Sequence, residues 1–275
     1  LLLIVLAVPL ALAAGASALG ARLPVPQWGR DYVLRFVLDL GQGPVDLPSV
    51  AGPGDPSRPL VVIDAGHGGR DPGAVGTDAQ GARFAEKDIT LAIALALREE
   101  LLRAGGIRVA LTRADDRILP LGHRPEIARR LDADLFLSIH ADSAGDRAEV
   151  GGASIYTLSD AASSEAAARF AARENDADRL NGIAIAGESP AVSSILVELS
   201  QQRTQEDALE FADLVLREGA ARLALNAQPK RSAALAVLRA PDVPSVLFES
   251  GFVTNQTDRA RLTTREGRAR YAAVL

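Results

Sequence analysis

The sequence predicts an α/β domain with three layers, a sheet between helices. Three observations carry that prediction. Short apolar runs bounded by Gly, Pro or Asp recur along the chain, as buried strands do. Between them lie longer segments whose apolar residues stand three or four apart, the helical spacing. Three of the apolar runs also stop at a residue that can bind a metal or move a proton: VVIDAGH at His67, LFLSIH at His140 and SVLFE at Glu249.

Composition narrows the chemistry. The 275 residues are enough for one sizeable domain with appendages, and the 48% apolar content can fill its core. A net charge of −5 gives no reason to expect a nucleic-acid partner. There is no Cys, so disulfides and thiolate metal sites are excluded. Any metal must be held by His, Asp or Glu, and the only imidazoles are His67, His123 and His140.

In order along the chain, LLLIVLAVPLALAA is too short for a comfortable membrane span of about 20 residues. It runs into Ala16-Ser17-Ala18, which fits a signal-peptidase site. Residues 1–18 therefore read as a secretory signal peptide that has lost its basic start; the end of a membrane anchor is the alternative. Both readings export the protein. Residues 19–59 read as the remnant of an N-terminal β module (YVLRFVLDL, 32–40) with a Pro/Gly-rich linker (49–59). Roughly forty residues bury little core alone.

The catalytic unit is expected over 60–275. Residues 60–64 form a strand feeding a Gly-rich loop. Residues 88–103 form a helix, with Ile89, Ile93, Leu97 and Leu101 on one face, Asp88 as cap and Gly105-Gly106 as stop. Strands are expected at 107–112, 133–139, 153–158, 234–238 and 245–248. Helices are expected at 124–131, 160–173, 191–199, 205–225 and from 258 to the end.

In an open α/β sheet, ligands gather beyond the carboxyl ends of the strands. If the three polar-ended strands are parallel neighbours, His67, His140 and Glu249 converge, and Glu86 can join them from the start of the 88–103 helix. Two imidazoles and a carboxylate make a catalytic zinc set that keeps one position open for water. A further carboxylate is then needed as general base and acid. The chemistry suits His67, Glu86 and His140 as ligands with Glu249 as base, though spacing alone lets Glu86 and Glu249 exchange roles. Asp64 and Asp142 lie close in sequence to the imidazoles and are candidates to orient them. His123 follows no strand and reads as a surface residue.

Five runs, IDAGHGGRDPGAVG, EKDITLAIA, DADLFLSIHADS, GGASIYTLS and PSVLFESGFVTNQTD, occur in that order. Together they resemble the successive motifs of the zinc-dependent N-acetylmuramoyl-L-alanine amidases of bacterial cell walls. The resemblance covers about 60–275. It implies a twisted, mostly parallel (mixed) sheet flanked by helices. It implies one Zn2+ held by His67, Glu86 and His140, with Glu249 catalytic. The implied reaction is hydrolysis of the amide between N-acetylmuramic acid and the L-alanine of the peptidoglycan stem peptide, in wall remodelling and daughter-cell separation. A zinc peptidase acting on stem peptides and a non-catalytic wall-binding scaffold are the alternatives. The expected location is the periplasm or another part of the envelope.

One segment, 160–202, is long for a connection between neighbouring elements. Its phrases RENDADRLNG and SSILVELSQ resemble the insert of the division amidases, in which a helix blocks the zinc until a protein activator moves it. The insert is therefore expected to be autoinhibitory, with Glu165 or Glu174 approaching the metal; an Ala-rich helix packing on the back of the sheet is the alternative.

Overall fold

The computed structural model describes residues 45–181 and 195–275. The apolar start, the 32–40 stretch and part of the 160–202 insert lie outside the described residues, so the signal-peptide and β-module expectations are not addressed by it. Among the described residues no helix is long and apolar enough to cross a membrane.

The elements run β1 (Leu60–Ala65), the ribbon β2 (Val75–Thr77) and β3 (Arg83–Ala85), α1 (Glu86–Ala104) and β4 (Arg108–Leu111). Next come α2 (His123–Arg130), β5 (Leu135–Asp142), β6 (Ala153–Leu158), α3 (Glu165–Glu174) and α4 (Ala177–Leu180). The chain closes with α5 (Ile195–Gly219), β7 (Leu225–Ala233), β8 (Ser245–Phe252), α6 (Gln256–Thr263) and α7 (Arg265–Ala272). Six strands form one mixed sheet in the order β4-β1-β5-β8-β6-β7. β4, β1, β5 and β8 are mutually parallel; β6 runs antiparallel to β8 and parallel to β7.

Period-two alternation assigns the two faces. Ile63, Ile139 and Phe248 pack with Ile93 and Leu97 of α1, Ala212 of α5 and Tyr271 of α7. Val62, Phe136 and Leu247 pack on the opposite face with Ile127 of α2 and Phe170 of α3. His140 shares the parity of Phe136, and Glu249 that of Leu247. Both therefore emerge on the α2/α3 face, in the carboxyl-terminal halves of adjacent strands, which run on past the expected ends at 139 and 248 to Asp142 and Phe252.

Four sequence expectations need correction. The strand expected at 234–238 is not one: the strand is β7 (Leu225–Ala233), and Ala236–Leu238 is a 3-10 turn. β7 lies at the sheet edge, so LNAQPKRSA needs no apolar alternation and tolerates Pro229. The helices expected at 191–199 and 205–225 are one helix over the described part, α5. The last helix breaks at Thr264, whose extended backbone (ψ 151°) lets its hydroxyl cap α7 by accepting from Gly267 N. α1 begins at Glu86 rather than at Asp88, which places the Glu86 carboxylate in its first turn.

Candidate metal centre

β1, β5 and β8 are neighbours, as the polar strand ends required, and His140 stands in register with Glu249. His67 lies two residues beyond β1, on a loop that must turn sharply. Its backbone is left-handed (φ 61°), a conformation that costs a non-glycine residue roughly 1–2 kcal/mol. Two buried guanidiniums hold the turn. Arg124 donates to the carbonyls of Ala65 and His67, each at 2.8 Å. Arg113 donates to those of Ala65 and Gly66, also at 2.8 Å. Burial, reinforced by the charge of Arg124, lowers the Arg113 pKa to about 10, so it stays charged at neutral pH.

Asp64 does not orient an imidazole. It accepts from Thr112, Ser138 and Arg124 at 2.6–2.9 Å, completely buried beneath the site. Burial alone would raise its pKa, but Arg124 and the two hydroxyls hold it below the usual carboxylate value. Arg124→Ala strands this carboxylate and is expected to destabilise the fold by about 3–5 kcal/mol. The check is the urea midpoint at neutral pH.

The orienting carboxylate for His67 is Asp71, which sequence reasoning missed. Its Oδ2 lies 2.7 Å from His67 Nδ1, which directs Nε2 into the site. The signal was available, since Asp71 follows His67 by four residues in the same Gly-rich loop. Asp142 orients no imidazole either; it pairs with Arg173 of α3 at 2.6 Å.

Four side chains meet around one point. His67 Nε2 is 3.1 Å from Glu86 Oε2 and 3.3 Å from Glu174 Oε2. His140 Nδ1 is 3.1 Å from Glu86 Oε1 and 3.3 Å from the same Glu174 oxygen. Donor atoms of His67, His140 and Glu174 all lie within 4.8 Å of one another. Each oxygen of Glu86 also accepts a backbone N–H, from Ala74 at 2.7 Å and from Ala141 at 2.8 Å. That fixes the carboxylate and leaves lone pairs facing inward. Two glycines make room: a Cβ on Gly66 would stand 2.5 Å from the His140 ring, and one on Gly73 would stand 2.6 Å from Glu86 Oε2.

The donor set fits a divalent cation. His67 Nε2 is buried with no hydrogen-bond partner among the described residues. Burial works against charging His67, yet the Glu86 and Glu174 carboxylates raise its pKa well above the usual value. Burial likewise opposes ionisation of Glu86, but the two imidazoles hold its pKa well below normal. Buried carboxylates facing two imidazole nitrogens call for a positive charge at that point.

Glu249 is 1% exposed, and among the described residues neither carboxylate oxygen has a hydrogen-bond partner. Burial and the charges of Asp142, Glu86 and Glu174 push its pKa well above the usual range. Of the two acids expected to approach from the insert, Glu174 ends α3 at the centre. Glu165 is exposed at the other end of that helix and pairs with Arg169. His123 begins α2 and touches none of these groups; its neighbour Arg124 is the structurally engaged residue.

α3 holds Glu174 by one face. Ala167, Phe170, Ala171 and Glu174 are buried at helical spacing, and the Phe170 ring packs on Tyr156 at 4.7 Å. The following turn is fastened by polar side chains to main-chain groups. Asp178 accepts from Leu121 N at 2.8 Å, and Asn181 accepts from Arg70 N and Asp71 N at 3.2 Å.

Comparison with known proteins gives the family of the chain. Residues 61–274 match the family described as N-acetylmuramoyl-L-alanine amidase. The chain is 36% identical over 220 residues to "N-acetylmuramoyl-L-alanine amidase AmiA" of Salmonella typhimurium, covering 80% of this chain and 74% of that protein. It is 34% identical over 244 residues to the AmiC amidase of an Escherichia coli strain, covering 86% of this chain and 57% of that protein. Among solved structures, the catalytic domain of CwlV from Bacillus (Paenibacillus) polymyxa superposes with a TM-score of 0.56 at 27% identity. That match covers 78% of this chain and 93% of CwlV's.

Proposed function

The chain belongs to the N-acetylmuramoyl-L-alanine amidase family, and we propose that its amidase centre is His67, Glu86 and His140 holding one zinc ion, with Glu249 as proton carrier. The substrate is peptidoglycan, and the bond cut joins N-acetylmuramic acid to the L-alanine of the stem peptide. The observation that carries the reading is the meeting of two imidazoles and a twice-anchored carboxylate beside an unpartnered buried glutamate. When bound, zinc supplies a Lewis acid for the amide carbonyl and brings the pKa of a water towards ~7.

The chain's own residues do the rest. Asp71 fixes the His67 ring, so that Nε2 and not Nδ1 faces the site. Glu86 spans the two imidazoles, with its oxygens fixed by Ala74 N and Ala141 N. Glu249 takes a proton from the attacking water and returns it to the departing alanine nitrogen. Burial and the neighbouring carboxylates raise its pKa, which favours its holding the proton between the two halves of that cycle.

Glu174 is read as an autoinhibitory plug. Its Oε2 lies 3.3 Å from both imidazole nitrogens, where the substrate carbonyl has to come. The Arg173–Asp142 pair and the Phe170–Tyr156 contact support that position, and a protein activator that lifts α3 would open the site. The apolar start supports export, and the periplasm or wall is where this substrate lies.

Purified wall tests the reading. Zinc-loaded protein is expected to release soluble stem peptide, a chelator to stop the release, and re-addition of Zn2+ to restore it. His140→Ala is expected to lose both the metal and the release. Unchanged release by His140→Ala would refute the ligand assignment.

A further inference from the structure

Asn175, the residue after Glu174, holds a main-chain segment by both ends of its amide. Its Nδ2 donates to the carbonyl of Ala234 at 2.9 Å, and its Oδ1 accepts from Ala236 N at 2.8 Å. Leu235 between them is extended (φ −83°, ψ 120°) and buried, which turns the Ala234 carbonyl and the Ala236 N–H the same way. A carbonyl and an N–H two residues apart on one strand edge are what a parallel strand uses to pair one residue of its neighbour. Asn175 thus presents to this edge one donor and one acceptor, the groups that a peptide unit presents. The segment adjoins the metal centre, because Val237 and Asn175 line the same cavity as His67, His140 and Glu174.

We propose that the main chain of Ala234–Ala236 is a stem-peptide subsite, read by strand-type pairing, which Asn175 occupies while Glu174 occupies the centre. The inference rests on the plug reading of Glu174. When α3 leaves, it takes Asn175 with it, and the Ala234 carbonyl and Ala236 N–H lose their partner. Both residues are half-buried, and an extended peptide laid along the edge re-satisfies both groups. The plug would then imitate the substrate at two adjacent points: a carboxylate at the place of the reacting carbonyl, and an amide at the place of a stem-peptide bond. The subsite reads backbone and not side chain, so it recognises the presence of a stem peptide and leaves its sequence free.

Ala236→Pro tests this. It deletes one N–H at the first position of a 3-10 turn, where Pro is tolerated, and the extended Leu235 suits a residue before Pro. The full-length zinc-loaded chain carrying Glu174→Ala and Asn175→Ala, in which the edge is free of its own side-chain partner, is compared with the same chain carrying Ala236→Pro as well, on a soluble muramyl peptide. The expected result is a KM about three- to tenfold higher in the proline variant, the worth of one neutral hydrogen bond, with kcat and zinc affinity against a chelator unchanged. Equal KM values would overturn the subsite. If the proline variant does not fold, the Glu174→Ala/Asn175→Ala chain is assayed on substrates in which each stem amide in turn is replaced by an ester. One position is then expected to lose about three- to tenfold in KM, and no loss at any position overturns the inference. Should Glu174→Ala be no more active than the parent, the plug fails first and the inference falls with it.

Discussion

Glu249→Gln is expected to lower stem-peptide release by about two to four orders of magnitude, the range general acid–base catalysis supplies, while bound zinc stays at the parent level. The substitution keeps shape and volume but cannot carry the proton. Metal binding should survive because Glu86, and not Glu249, stands 3.1 Å from both imidazoles. The fold should survive as well. Both Glu249 oxygens lack hydrogen-bond partners among the described residues, so Gln breaks no contact there, and it removes a carboxyl held beside Asp142, Glu86 and Glu174. Zinc content, thermal midpoint and release rate measured on one preparation separate the roles. Loss of zinc together with activity would make Glu249 a ligand and return Glu86 to the base, the exchange that spacing alone left open.

The second large effect has the opposite sign. Glu174→Ala is expected to raise the basal rate about tenfold or more, because a plug that is open less than about a tenth of the time hides the centre in proportion. Zinc should stay bound, held by His67, Glu86 and His140. Glu86→Ala makes the contrast: it should cost the metal and the activity together. These two carboxylates stand at similar distances from the imidazoles, so proximity does not tell ligand from plug. Their anchoring does. Glu86 is fixed by two backbone N–H groups at the root of α1. Glu174 ends a ten-residue helix held by one apolar face, by an Arg173–Asp142 pair whose arginine is half exposed, and by side-chain bonds from Asn175, Asp178 and Asn181, none of which fixes the Glu174 carboxylate itself. If Glu174→Ala lost zinc and gained no activity, the carboxylate would be a ligand and the insert no gate.

How far the sequence carried the site depends on the kind of residue. His67, His140 and Glu249 were legible because each closes an apolar run of the sequence, and the order of β1, β5 and β8 brings them together. Glu86 was legible as a carboxylate opening a periodic helix. Glu174 could be narrowed only to one of two acids, since the helix face that docks is set by Phe170 meeting Tyr156, a contact between distant segments. Arg113 and Arg124 were missed because they act on main-chain carbonyls, and such roles leave no spacing pattern. Asp71 did leave one, four residues after His67, and was passed over for the nearer Asp64. The polar strand β7 was missed because an edge strand needs no hydrophobic face, and the buried run beside it drew the assignment instead. Asp64 and Asp142, chosen for nearness in sequence, turned out to serve Arg124 and Arg173.

The central claim is the bond that is cut, and mass analysis of the fragments released from purified peptidoglycan by zinc-loaded Glu174→Ala protein tests it most directly. The account predicts whole stem peptides with a free amino group on L-alanine, glycan strands with intact lactyl groups, and neither product when a chelator is present. Fragments cut within the stem peptide, with L-alanine still attached to muramic acid, would contradict it and make the protein a peptidase.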